Sequence, residues 1–186
     1  MSSPIAIPRP GADEYFPYYA TYIARVPGDD ALPTLVSHIE AWHPTLRGLS
    51  EAQAMHRYAP GKWSVKEVIG HLCDGERVFA YRALRFARND RTRLPGFEGD
   101  DYVAAARFDR RPWNELLDEF EAVRRATILM FGGLDGEAWL RRGVASDNEV
   151  SVRTLAYNIA GHELHHLQIV RTKYLPAAMR DPSASS

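Results

Sequence analysis

The sequence predicts an all-α fold, a four-helix bundle with long inter-helix loops, and three observations carry that reading. Apolar residues recur at spacings of three and four in four separate stretches, the signature of amphipathic helices. Capping residues or a proline stand at the start of each stretch. Strand-like alternation is scarce. Four long amphipathic helices in one small domain bury their apolar stripes against one another as a bundle. At 186 residues the chain is long enough for one domain with a full core and short for two.

The first helix is expected from about Asp30 to Leu49. Asp29 or Asp30 can cap it, Pro33 fits the first turn, and Leu35, Ile39, Trp42, Leu46 and Leu49 form one stripe. Pro44 falls inside and predicts a kink or a loosened last turn. The link "SEAQAMHRYAPGK" leads to Ser64, which opens a second helix and forms a capping box with Glu67. Its inward positions are Val68, Leu72, Gly75, Phe79, Ala83 and Phe86, and Asn89-Asp90 end it. The loop "RTRLPGFEGDDYVAAARFDR" is long for a connection and reads as a lid or flap. Pro112 starts a third helix with Leu116, Leu117, Phe120, Val123, Thr127 and Phe131 inward, and Gly132-Gly133 stop it. After an irregular link, Ser151 caps a fourth helix that reaches about Leu175, before Pro176. The domain is thus expected over 15–175, with loose segments at 1–14 and 176–186.

Composition excludes several classes. A net charge of −1 gives no cause to expect nucleic acid or an anionic membrane as partner. The one cysteine, Cys73, rules out an internal disulfide framework and suits a reducing compartment. No stretch approaches the ~20 apolar residues that span a bilayer. The start "MSSPIAIPRPGADEYF" lacks the charged head and apolar run of a signal peptide, so a cytoplasmic location is expected.

The chemistry concentrates in "NIAGHELHHLQIVRTKY", Asn158 to Tyr174. Residues four apart on a helix are roughly 40° apart around its axis, and neighbours roughly 100°. His162 and His166 therefore share the inward face with Leu155, Ile159 and Val170. His165 falls on the polar face with Asn158, Gly161, Gln168 and Thr172. A single inward histidine is usually a core residue with local partners. Two of them one turn apart bring two acceptor nitrogens into apolar surroundings, and a shared cation satisfies both. A third ligand must come from His38, His43, His56 or His71. His71 fits best, mid-way along the second helix in the sector of Val68 and Gly75, where the glycine leaves room for a neighbour. Three imidazoles leave a metal with an open position, the mark of a catalytic site. "HELHH" also reads as H-E-x-x-H, the zincin signature with Glu163 as base. Against it, the chain lacks the downstream glycine and histidine of one form and the downstream glutamate of the other.

"KWSVKEVIGHLCDGERVFAYRALRFARND" together with "VSVRTLAYNIAGHELHHLQIV" resembles the DinB-like (DinB/YfiT-like) superfamily of four-helix-bundle metalloproteins. The likeness extends from about Tyr15 to Tyr174 and includes "LPGFEGDDYV" and "RRGVASDNEVSV". It implies a bundle of unusual connectivity and a divalent metal, zinc or nickel before others, on His71, His162 and His166. It also implies an enzyme. Some members are metal-dependent transferases that activate a low-molecular-weight thiol such as bacillithiol or mycothiol, and one is a thiol-dependent isomerase. Many others are labelled metal-dependent hydrolases without a known substrate. A metal centre of this kind can make a thiolate or a hydroxide, so thiol S-transfer and hydrolysis both stay open beside a non-catalytic metal-binding stress protein. A homodimer is compatible with bundles of this sort, which often pair through an apolar face.

Other groups near the centre have two readings each. Glu163, about 60° from His166, orients a ligand or acts as a base, or else forms a salt bridge. Asp74 holds the His71 ring or lies in solvent. Glu76 and Arg82 pair with each other or with neighbouring helices. Trp63 packs on the helix start as a staple. Cys73 lies on the far side of its helix from His71. Arg77, Arg85, Arg88, Arg91 and Arg93 form a basic run that is usually a solvated face.

Overall fold

Each long helix starts where the chain offers a partner for backbone N–H groups that no helical carbonyl can reach. In the computed structural model, which describes residues 6–175, Asp30 accepts the Leu32 N–H at 3.0 Å. Ser64 and Glu67 form the expected capping box, with Glu67 N–H to Ser64 Oγ at 3.0 Å and Ser64 N–H to Glu67 Oε2 at 2.8 Å. Ser151 accepts from Thr154 N–H at 3.2 Å. Pro112 offers no side-chain cap, and the Trp113 N–H donates instead to Glu51 Oε1 at 2.6 Å.

The elements in order are α1 Ala20–Ile23, α2 Ala31–Arg47, α3 Glu51–Ala54, α4 Val65–Ala87, α5 Gly99–Ala106, α6 Trp113–Gly132 and α7 Gly136–Leu140, then β1 Arg142–Ala145, β2 Asn148–Ser151 and α8 Val152–Ile169. A π-helical turn, Val170–Tyr174, extends α8. The four long helices are those expected, and Pro44 stands in the final turn of α2. The side chains of His38 and Ile39 lie outside the described residues, as do residues 1–5 and 176–186 of the expected loose termini.

α4 packs against α6 and α8, and α2 packs against the same two. The ring order is therefore α2, α6, α4, α8, which sets α2 diagonal to α4 and α6 diagonal to α8. A diagonal step cannot be made by a tight turn, which accounts for the links from α2 to α4 and from α6 to α8. The link from α4 to α6 joins neighbours and is long because it holds α5. The link after α6 is not irregular as expected. It holds α7 and an antiparallel hairpin with Arg142 opposite Ser151 and Ala145 opposite Asn148. The strands are too short for alternation to stand out, and the turn residues Ser146 and Asp147 adopt positive φ, 51° and 61°, with no glycine to advertise it. The loop after Asn89 is no free flap either. Leu94 exchanges backbone hydrogen bonds with this hairpin, to Val144 at 2.9 Å and from Ser146 at 3.1 Å.

The segment before residue 15 also departs from expectation. Ile7 is fully buried and its N–H donates to Asp30 Oδ1 at 2.9 Å. Arg9 donates to the carbonyls of Ile23 at 2.9 Å and Val26 at 2.7 Å. Glu14 is buried and accepts from Arg153 Nε on α8 at 2.7 Å. These contacts are made by isolated residues with no periodicity, so the pattern of the segment carried no sign of them. They hold α1 against α8, where Gly161 permits the approach: a Cβ there would stand 2.0 Å from the Tyr22 carbonyl oxygen.

The core is in two parts. One cluster gathers Phe79, Ala83, Phe86, Phe131, Leu155 and Ile159, and the other Val68, Ile69, Leu72, Leu116, Leu117 and Leu167. Between them lies a buried polar layer of Glu76, Arg124, His162 and Glu163. Arg124, not Val123, takes the inward position on α6, since Val123 is only half-buried.

Gly161→Ala is expected to lower the melting temperature, at the upper end of the about 1–3 kcal/mol typical of overpacking, and to speed amide exchange at residues 20–23. The Glu14–Arg153 pair predicts an acid sensitivity. Burial alone would raise the Glu14 carboxyl, but hydrogen bonds from Arg153, Gly11 and Ser151 outweigh it and hold the pKa at about 2, below the ordinary 4.5. A depressed carboxyl stabilises the fold above its unfolded pKa and loses that contribution as pH falls toward its folded one. Denaturation midpoints should show wild type more stable than Glu14→Gln at neutral pH, the difference shrinking between about pH 4.5 and 2.

Candidate metal centre

α4 and α8 run side by side, and this brings His71 to the pair His162 and His166. Each offers one ring nitrogen, and these atoms lie within 4.8 Å of one another. The Nε2 atoms of His71 and His162 are 3.0 Å apart. Ring centroids are 4.8 Å apart for His71 and His162, 4.9 Å for His71 and His166, and 4.6 Å for His162 and His166. Zinc–imidazole bonds of about 2.0–2.1 Å put tetrahedral ligand nitrogens about 3.3 Å apart, so the cluster fits a first-row divalent ion with small ring adjustments. No fourth His, Cys, Asp or Glu joins the cluster among the described residues.

Electrostatics prepare the same role. Burial lowers the pKa of His71 to about 4, against a small opposing pull from Asp100. Burial, then the neighbouring His71 and His165, lower His166 to about 3. His162 is likewise lowered well below the ordinary imidazole value, through burial and the other three rings. All three are neutral at pH 7, the form that ligates.

The nitrogens face a cavity of about 550 Å³. Trp63 is more than a staple, because its ring lies 4.7 Å from His71 and stacks on His166 at 6.3 Å and 23°. Tyr22 meets His162 edge-on at 5.4 Å. Gly75 lies against His162, as the spacing suggested, and Gly99 at the start of α5 lies against His71.

His165 stands outside the cluster, as expected, but the face assigned to it is not simply solvent. α1 covers that face, Asn158 and Gly161 on it are buried, and His165 lines the cavity beneath Tyr22, ring to ring at 5.7 Å. His43 is elsewhere, accepting from Arg47 Nε at 2.8 Å, and His56 packs against Tyr174 at 6.3 Å. Cys73 is buried away from the cluster, and burial pushes its thiol up.

Glu163 does not line the cavity. Its Oε2 accepts from Arg124 Nη1 at 2.6 Å, and Arg124 Nε and Nη2 bind Glu76 at 2.9 Å and 2.8 Å. Glu76 thus pairs with α6 and not with Arg82. Asp74 faces Arg77 at 3.7 Å and not the His71 ring. In the basic run, Arg77 pairs with Glu119, Arg85 with Asp90 and Arg93 with Asp147. Several wall residues carried no signal in the sequence. Phe16, Tyr19 and Tyr22 come from the N-terminal segment, Asp100 from α5, and Ser146 and Asn148 from the hairpin. Helical phase could have found only Asn158, one turn before His162.

The DinB superfamily matches residues 34–170. No curated protein matches the chain. Among solved structures it is similar to YfiT from Bacillus subtilis, described as a probable metal-dependent hydrolase with an unusual four-helix bundle topology. The identity is 12%, over 87% of this chain and 91% of that one, with a TM-score of 0.62. It is also similar to the mycothiol-dependent maleylpyruvate isomerase, at 12% identity over 74% of this chain and a TM-score of 0.59. The chain spans 58% of that enzyme's length. At such identity the likeness is one of fold.

Arg124→Met strands two buried carboxylates beside the histidines. The expected loss of stability is about 3–5 kcal/mol, read from denaturant unfolding at neutral pH.

Proposed function

Since the chain belongs to the DinB superfamily, we propose that it is an enzyme holding a divalent metal ion on His71, His162 and His166, for the activation of a nucleophile against a small electrophilic substrate. The observation that supports this most is the convergence of three neutral imidazoles on one point at the wall of a roomy cavity, with no further protein donor in the cluster among the described residues. Such a donor set suits zinc or nickel. When bound, the ion would lower the pKa of a thiol or a water and so supply the nucleophile.

The chain's own contributions are specific. Trp63, Tyr22 and Phe79 wall the site with aromatic faces, which exclude water and offer apolar surface to a substrate. We read Glu163 as a positioning group: its bond to Arg124 fixes the turn of α8 that carries His162 and His166. A low-molecular-weight thiol of the bacillithiol type is the preferred nucleophile, supported by the likeness to a mycothiol-dependent enzyme. Hydrolysis is the second reading, supported by the likeness to YfiT.

Metal content and turnover test this together. His71→Ala, His162→Ala and His166→Ala should each weaken metal binding by more than about 100-fold, read by elemental analysis after dialysis, while His165→Ala keeps its metal. Equal metal in all five proteins would remove the basis of the reading. Metal-loaded wild type given a bacillithiol-type thiol and a generic electrophile should show thioether formation that vanishes on chelation. Metal-dependent cleavage of model esters in its place would establish the hydrolase, and neither activity would leave a binding protein.

A further inference from the structure

We propose that the cavity takes a substrate bearing a single carboxylate and that Arg82 receives it. This rests on the reading of the cavity as an active site. Arg82 lines the cavity while only 2% exposed. Its Nη2 donates to the Pro95 carbonyl at 2.7 Å and to Ser146 Oγ at 3.0 Å. Its guanidinium lies over Phe97 at 5.5 Å and Phe79 at 5.8 Å. The Tyr19 hydroxyl also lies against it, and no Asp or Glu pairs with it among the described residues.

The contrast with Arg124 is instructive. That guanidinium, buried in the core away from the cavity, is neutralised by two carboxylates. Arg82 has none, although a guanidinium carries five N–H donors and an uncompensated buried charge is costly. Two aromatic faces and three oxygens hold it in place without cancelling its charge. A substrate that brings its own anion completes the arrangement.

A second observation points to the same ligand. Asn158 is 1% exposed, lines the same cavity, and has no hydrogen-bond partner for either its amide oxygen or its amide nitrogen among the described residues. Buried amides are normally satisfied. On α8 it stands one turn before His162, so its NH2 is available to an acceptor on a molecule held at the histidines.

Phe79 fixes the scale, since its ring contacts the Arg82 guanidinium and lies 6.3 Å from the His162 ring. A carboxylate on Arg82 therefore leaves the other end of a small molecule at the histidines, one phenyl ring away. The remaining charged residues lining the cavity, Glu98 and Asp100, are exposed and negative, and they disfavour a second anionic end. The class selected is a small monocarboxylate with its reactive centre a few bonds from the acid.

Calorimetric titration of the metal-loaded, full-length protein with acetate, butyrate and benzoate, each against its own amide, tests this. At least one acid should bind about tenfold or more tightly than its amide, the scale of a charge-assisted hydrogen bond. That preference should vanish in Arg82→Gln, survive in part in Arg82→Lys, and vanish in Asn158→Asp, which changes charge at constant shape. It should persist in His162→Ala, so that failure of the metal assignment and failure of the carboxylate site read out separately. Absence of any acid preference in wild type would overturn the proposal. So would a preference undiminished in Arg82→Gln, or one lost in His162→Ala and kept in Arg82→Gln.

Discussion

Arg124 projects from α6 to both oxygens of Glu76 on α4, to Glu163 on α8 and to the Leu35 carbonyl on α2. One side chain thereby touches the other three long helices, including the one diagonal to its own. The net stability of such a buried cluster is small, because desolvation offsets most of the attraction. Its effect is to tie α6 to α8 across the bundle. A ring in sequence order would make α4 and α8 the neighbours of α6, whereas here α8 lies diagonal to it and Arg124 spans the core to reach Glu163.

The histidines inherit their precision from this clasp. Glu163 adjoins His162, and Glu76 adjoins Gly75, which lies against the His162 ring. The polar layer therefore has two neighbouring halves. One is an ion cluster closed on itself, and the other is a set of imidazole nitrogens turned toward open space. Apolar clusters above and below seal the layer from both sides. Within it a neutral imidazole is favoured by burial, and so the same desolvation that weakens the ion cluster keeps the three rings in the form that can bind a cation.

What the sequence made legible followed from local rules. The capping serines and aspartate, the inward pair His162 and His166, and the choice of His71 all rest on positions within a single helix. The misses share a cause as well. α1, the hairpin and the start of α5 are short, and their place depends on contacts with distant residues such as Asp30, Leu94 and Arg153. Arg124 was readable in retrospect, since Phe120, Arg124, Thr127 and Phe131 step by four, three and four. A charge on an apolar stripe signals a buried partner on another element. Glu163 was seen beside the inward face, but its partner on a different helix could not be.

Cys73 gains a meaning from its surroundings. The only thiol in the chain is sealed in the lower apolar cluster, with burial and the nearby carboxylates of Glu119, Glu76 and Asp74 all disfavouring its ionised form. Under the proposed thiol transfer, a reactive sulfur of the protein's own would compete for the electrophile, and here that sulfur is buried and held in its protonated form.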